Sequence, residues 1–334
     1  MAKFAVLGAG SWGTALAIQL AKNDHEVTLW EFLPEAAEKL IQDRENKTFL
    51  AGIPFPDSIN VTNNLKESLD GAEGVLLVVP SQVTRKVLEQ IDVNVNDFVW
   101  IGASKGIENK TLMRMSEVFT DVFGPDSSSR YVTLSGPSHA EEVALSVPTT
   151  IVAAGEDHDL AMLVQAWFSS PTLRVYSSDD IVGVELGASL KNIVAIATGI
   201  CDGLNFGDNT KGALITRGLH EITRLGLALD CKRETFSGLS GLGDLVTTCT
   251  SKHSRNRFVG EELGLGKKLS DILDSMHMVA EGVATTQSTY NLSKKMGVEM
   301  PITEQVYRIL FEDASPKEAV YQLMTRKLKV EKHL

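Results

Sequence analysis

Through its first half the chain alternates short, β-branched apolar runs with amphipathic stretches, and this order constrains the fold more than any other feature. The strand candidates are Lys3–Gly8, Glu26–Glu31, Gly74–Val79, Asp97–Ile101, Tyr131–Ser135, Thr149–Ala154 and Leu173–Ser177. Helix-like segments lie between most of them, such as Thr14–Lys22, Ser81–Ile91, Thr111–Asp121 and Asp157–Phe168. A βαβα order reads as a parallel sheet with helices on both faces. Wholly apolar strands, such as the VLLVV run from Val75, suit burial on both sides.

Near Asp179 the character changes. The β-like alternation fades and helical periodicity takes over, with candidates Ile181–Cys201, Lys211–Leu229, Asn256–Leu263, Gly282–Lys295, Thr303–Phe311 and Pro316–Met324. The expectation is an α/β protein with an N-terminal doubly wound (Rossmann) parallel sheet over residues 1–178. An all-helical domain follows over 179–334. The C-terminal RKLKVEKHL reads as a solvated helix end.

Composition narrows the class. The 334 residues are 43% hydrophobic and 22% charged, as expected of a soluble globular chain with a large core. A net charge of −11 argues against nucleic acid or an anionic membrane as the main partner, so a local basic cluster carries weight. Three cysteines, Cys201, Cys231 and Cys249, match no metal or redox spacing and read as small buried thiols of a reducing compartment. No His-x-x-x-His pair occurs, and no metal site is expected. The N-terminus enters a strand at once, with no separate targeting segment, which suggests a cytoplasmic protein.

Gly8-Ala9-Gly10-Ser11-Trp12-Gly13 fits the G-x-G-x-x-G fingerprint, between an apolar strand and a helix opening at Thr14. In that setting the glycines close the turn and let the backbone approach a pyrophosphate. Free N–H groups at the helix start then hold the anion. Glu31, ending the second strand, stands where an acid accepts hydrogen bonds from the adenosine ribose and repels a 2′-phosphate, favouring NAD over NADP.

Lys191 sits inside the apolar run IVGVELGASLKNIVAIATGI, which Glu185, Lys191, Asn192 and three glycines make too polar for a membrane span. A buried ammonium is costly, so a chain tends to keep one where its charge or its proton is used. A structural lysine, snorkelling to the surface or paired with a nearby acid, is the plainer alternative.

Three further segments suit ligands. Lys105 follows a strand, where doubly wound sheets gather ligands. Ser135-Gly136-Pro137-Ser138-His139-Ala140 also follows a strand, with Ser138 as a cap for the next helix and Glu141 as its partner. Ser237–Thr248 is rich in glycines that permit an amide nest, and it leads into Lys252, Arg255 and Arg257, a basic cluster suited to phosphate. Asp244 can pair with Lys191. Together these parts point to oxidation of a small phosphorylated alcohol with a nicotinamide cofactor.

These residues resemble the bacterial NAD(P)-dependent glycerol-3-phosphate dehydrogenase family. The matching motifs are GAGSWGTALA, FLAGIPFPDSI, ASKGIE, LSGPSHAEEV, ELGASLKNIVAIATGICDGL, NTKGALITRGLHE, FSGLSGLGDLVTTCTSKHSRNRFVG and VAEGVATT, in order over nearly the whole chain. The resemblance implies Lys191 as proton acceptor. It implies substrate contacts from Lys105, Gly136, Ser138, Lys191, Asp244, Ser254, Arg255 and Asn256. The cofactor contacts it implies come from Ser11, Trp12, Ala140, Val279, Glu281 and Arg255, with Lys105 beside them. Phe32 stands where members vary, and some carry a basic residue near it, which keeps NADP open. Membership further implies a homodimer that supplies glycerol 3-phosphate for phospholipid synthesis. Another two-domain dehydrogenase, acting on a hydroxy acid or phosphogluconate, and a non-catalytic NAD-binding sensor are the competing readings.

Overall fold

A computed structural model describes residues 1–276, 278–328 and 330–331. The chain divides into two compact units, Met1–Ser104 with Met115–Ile181, and Lys105–Arg114 with Val182–Leu334. The expected single boundary after residue 178 is therefore corrected: residues 105–114 leave the first unit for the second. Ile107 explains why, being fully buried in a core with Leu186, Leu190 and Leu245.

The first unit is built on an eight-stranded sheet: β1 (Lys3–Leu7), β2 (Glu26–Trp30), β3 (Ile59–Thr62), β4 (Gly74–Leu77), β5 (Val99–Gly102), β6 (Tyr131–Ser135), β7 (Thr149–Gly155) and β8 (Leu173–Ser178). Their order is β3-β2-β1-β4-β5-β6-β7-β8. β3, with the polar sequence INVT, escapes the sequence pattern because only Ile59 and Thr62 are buried. The neighbours from β3 through to β6 run parallel, but β7 runs antiparallel to β6, and β8 follows β7. The expected all-parallel sheet is thus a mixed one. Helix length supplies the reason. The Ala140–Ala144 helix after β6 has five residues and rises about 7.5 Å, too little to return the chain to the far end of the sheet. The His158–Phe168 helix after β7 has 11 residues, rises roughly 16 Å, and carries β8 back parallel to β7. Phe4, Val6, Leu29, Leu76, Ile101 and Val132 fill the sheet core. Each fully buried aliphatic or aromatic side chain contributes roughly 1.5–3 kcal/mol.

Several helices differ from their sequence bounds. The first starts at Ser11 rather than Thr14. Ser81–Ile91 resolves into a short 3-10 turn and a helix ending at Leu88. The helix expected from Thr111 starts at Met115, because Thr111–Arg114 close a loop in the other unit.

In the second unit the central element is Ile181–Gly203, here the lysine helix. By length and apolar composition it could cross a membrane, contrary to the reading that it is too polar; yet 94% of its apolar window is buried inside the protein. It packs against Arg255–Gly264, here the arginine helix, at backbone level. A Cβ on Gly199 would lie 2.0 Å from the Arg257 carbonyl oxygen, and one on Gly260 would lie 2.0 Å from that of Ile196. Elsewhere, the Pro301–Phe311 helix has no side-chain cap from its own N-cap residue. Instead buried Glu221 accepts from the backbone N–H groups of Ile302 (2.7 Å) and Thr303 (3.2 Å). Cys201, Cys231 and Cys249 are buried free thiols. The final described helix ends at Met324, so Arg326–Leu328 are not the helix end expected. Residues 329 and 332–334 of that segment lie outside the described residues.

Gly260→Ala should cost about 1–3 kcal/mol through overpacking, read as a lower thermal-unfolding midpoint. An unchanged midpoint would mean the two helices can part without penalty.

Candidate active site

In the first unit the strand order reverses between β1 and β4, the position where sheets of this type open a crevice beyond their carboxyl ends. The glycine turn lies at the end of β1, and each glycine has a distinct reason. Gly8 adopts φ +120°, and a Cβ there would lie 3.0 Å from the Val78 carbonyl. A Cβ on Gly13 would collide with the Gly8 carbonyl oxygen at 2.0 Å. A Cβ on Gly10 would meet nothing within 4 Å, so here the glycine keeps open space. The helix that follows, Ser11–Lys22, has no side-chain cap, which leaves first-turn N–H groups for an anion. These features fit a dinucleotide pyrophosphate.

Asn46 was not singled out from sequence, yet it ties this turn together. Buried, it donates to the Ala9 carbonyl and to Thr14 Oγ1, both at 2.8 Å. Trp12 Nε1 is buried without a hydrogen-bond partner. At the end of β2, the Glu31 N–H donates to the Thr62 carbonyl and its carboxylate accepts from the Leu33 N–H at 3.1 Å. Phe32 beside it is exposed.

Beyond β6, Gly136 has φ +144° and a missing Cβ that would otherwise press on Ile151 Cα at 2.9 Å. Ser138 does not cap the next helix. Its hydroxyl donates to the Gly136 carbonyl at 3.0 Å, closing the turn, and His139 takes the N-cap position before buried Ala140.

The second unit holds the charged cluster. Asp244, at the start of the Asp244–Thr250 helix, is 2% exposed and accepts from two ammoniums: Lys191 on Oδ1 and Lys105 on Oδ2, the latter at 3.1 Å. Lys191 also donates to Thr248 Oγ1 at 2.8 Å, while the Thr248 hydroxyl donates to the Asp244 carbonyl at 2.7 Å. Thr248 was missed; its place one helical turn after Asp244 was the available signal. One carboxylate cannot neutralise two ammoniums. With side-chain exposures of 7% and 17%, Lys191 is the more deeply buried of the two. Burial pulls its pKa down to about 7, with Asp244 opposing and Lys105 reinforcing the shift.

Local packing delivers Asp244 to this place. The preceding Leu239–Gly243 turn is a π-helical one, whose Gly243 N–H donates to the Gly238 carbonyl. Gly187 of the lysine helix admits the Ser240 carbonyl, which would be 2.4 Å from a Cβ there. Of the glycines expected to form an amide nest, Gly241 serves close packing: a Cβ there would lie 2.1 Å from the Phe236 carbonyl oxygen.

Ser254 caps the arginine helix by accepting from the Arg257 N–H at 3.2 Å. Asn256 Oδ1 accepts from the Gly282 N–H at 2.9 Å, and Arg255 donates to the Val279 carbonyl at 3.1 Å. Glu281 opens the Glu281–Met296 helix beside them. The expected basic cluster is only partly available. Arg257 is engaged with Asp202 at 2.7 Å, where Lys211 also pairs at 2.7 Å.

The N-terminal sequence model of NAD-dependent glycerol-3-phosphate dehydrogenase matches residues 3–161, and the C-terminal model matches 180–321. The chain belongs to this family. Glycerol-3-phosphate dehydrogenase (NAD(P)+) of Citrifermentans bemidjiense is 52% identical over 98% of each chain, and that of Geobacter sulfurreducens is 50% identical over 99% of each. A crystal structure of glycerol-3-phosphate dehydrogenase from Coxiella burnetii superposes with a TM-score of 0.92 at 39% identity, covering 97% of this chain and 99% of that one. As a member of the family the chain is expected to hold NAD or NADP, which agrees with the open cradle at Gly10.

Gly10→Val should weaken NADH binding by about tenfold or more with a near wild-type melting temperature. Gly13→Ala should lower the melting temperature instead. Titration of dinucleotide fluorescence beside a thermal melt separates them; equal melting losses would refute the division of roles.

Proposed function

We propose that this chain interconverts sn-glycerol 3-phosphate and dihydroxyacetone phosphate with NAD(P), with Lys191 as the proton acceptor. The observation that carries the reading is the buried Lys191–Asp244–Lys105 cluster with Thr248. A bound nicotinamide ring supplies the hydride acceptor. Lys191 takes the C2 hydroxyl proton in oxidation and returns it to the carbonyl oxygen in reduction. A neutral Lys191 is available near pH 7 because burial outweighs Asp244. Asp244 and Thr248 accept hydrogen bonds from Lys191 and so aim its lone pair, and Lys105 stabilises charge on the substrate oxygen. Ser254, Arg255 and Asn256, at the start of the arginine helix, suit the phosphate through N–H groups and a guanidinium fork. Phosphate held there turns remote binding energy into alignment of the carbinol.

Gly136 and Ser138 as substrate contacts, and Trp12, Phe32, Ala140, Val279 and Glu281 as cofactor contacts, enter through the family resemblance. Glu31 supports a preference for NAD over NADP. Family membership supports a cytoplasmic homodimer that supplies glycerol 3-phosphate for phospholipid synthesis.

Oxidation of NADH, followed at 340 nm, should occur with dihydroxyacetone phosphate and fall steeply with unphosphorylated dihydroxyacetone. Lys191→Ala should abolish it while dinucleotide binding persists, and Glu31→Ala should narrow the gap between NADH and NADPH. Equal rates with both ketones would end the phosphate assignment, and appreciable turnover by Lys191→Ala would end the base assignment.

The pH profile offers a second check. Alcohol oxidation needs unprotonated Lys191, whose pKa lies at about 7 instead of its usual 10.5, so kcat/KM should rise with pH through about 7 and then level. Lys105→Met removes a like charge and should move that limb to higher pH. A limb that stays put would show that Lys105 does not act on Lys191.

A further inference from the structure

Lys105 sits on a segment whose backbone pairing is a single bridge. From Lys105 to Arg114 the chain forms neither helix nor strand, only the isolated antiparallel bridge between Ile107 and Arg114. Internal bonds nonetheless make it one body. The Glu108 N–H donates to the Met113 carbonyl and the Leu112 N–H to the Glu108 carbonyl, both at 2.9 Å, and Thr111 Oγ1 donates to Glu108 Oε2 at 2.5 Å.

Besides the Lys105–Asp244 bond, further contacts tie that body to the rest of the second unit. Ile107 is buried against Leu186 and Leu190 of the lysine helix. Asn109 Nδ2 donates to Gln287 Oε1 at 3.1 Å. Arg114 Nη1 donates to Glu185 Oε2 at 2.7 Å, with side-chain exposures of 14% and 6%. The last is a charge-assisted bond largely withdrawn from water, where such bonds are strong and directional. Glu185 belongs to the lysine helix itself. The loop bearing Lys105 is therefore fastened to the same backbone that bears Lys191.

We propose that the Arg114–Glu185 ion pair positions Lys105 across Asp244 for the reaction. The pair fixes the returning limb of the loop, and the Ile107–Arg114 bridge passes that fix to the limb that carries Lys105. Being a neutral pair, it adds little net field at the ammoniums; its effect is geometric. Arg114 and Glu185 are positioning residues that act through Lys105, and this rests on the dehydrogenase reading above.

A double-mutant cycle tests it. In NADH oxidation with dihydroxyacetone phosphate, Arg114→Met should lower kcat/KM by about tenfold or more, and Arg114→Lys should recover part of that. In a Lys105→Met background the same change should cost no more than about twofold further. Full multiplication of the two losses, or wild-type kinetics in Arg114→Met, would overturn the proposal. Should Arg114→Met fail to fold by circular dichroism, Glu185→Gln replaces it in the cycle under the same criteria. Acylation of Lys105, followed by peptide mass spectrometry, gives a readout without turnover: it should quicken several-fold when the pair is broken, and an unchanged rate overturns the proposal. Wild-type protein inactive toward dihydroxyacetone phosphate would sink the dehydrogenase reading alone, leaving the labelling result to judge Arg114.

Discussion

A single carboxylate shared by two ammoniums is the constraint around which the helical unit is arranged. In water the arrangement would cost little. Removed from water, two positive charges near one negative charge cannot all persist cheaply, because Coulomb energies grow several-fold as the effective dielectric falls. The cheapest relief is loss of a proton from the deeper ammonium, and Lys191 is the deeper one. Thr248 completes the arrangement. Its hydroxyl proton is committed to the Asp244 carbonyl, so it presents lone pairs to Lys191.

Such a cluster needs a rigid surround, and much of that rigidity comes from missing side chains. Gly187 admits the turn that leads into Asp244. Gly199 and Gly260 let the lysine and arginine helices meet at their backbones. Gly282 lies against Asn256 Oδ1 and the Asn192 carbonyl, 2.7 and 2.9 Å from where its Cβ would be. Backbone contacts of this kind offer no rotamers to relax, so the geometry they set is stiff.

What could be read from sequence was mostly local. Apart from β3, the strands of the sheet and the glycine turn depend on short-range pattern, and they stand within a few residues of their expected places. What escaped was set by tertiary context. The reversal at β7 follows from the length of a helix whose end depends on its surroundings. Residues 105–114 read as a loop beyond a strand; only burial of Ile107 and the bond to Glu185 assign them to the other unit. Ser138 had the right chemistry to cap a helix, but its hydroxyl closes the Gly136 turn instead. Arg257 looked like an anion ligand beside Arg255, yet Asp202 claims it. Lys191 was legible because a charge inside so apolar a run violates the local rule, and such violations concentrate where chemistry is done.

The backbone contact at Gly199 and Gly260 has a bearing on substrate choice. On the proposed reading, one helix carries the proton acceptor and the other opens with the phosphate ligands, and backbone contact at Gly199 and Gly260 limits how far their separation can change. The pair acts as a caliper of fixed gape. Selectivity for the distance between carbinol and phosphate would then reside in two absent methyl groups.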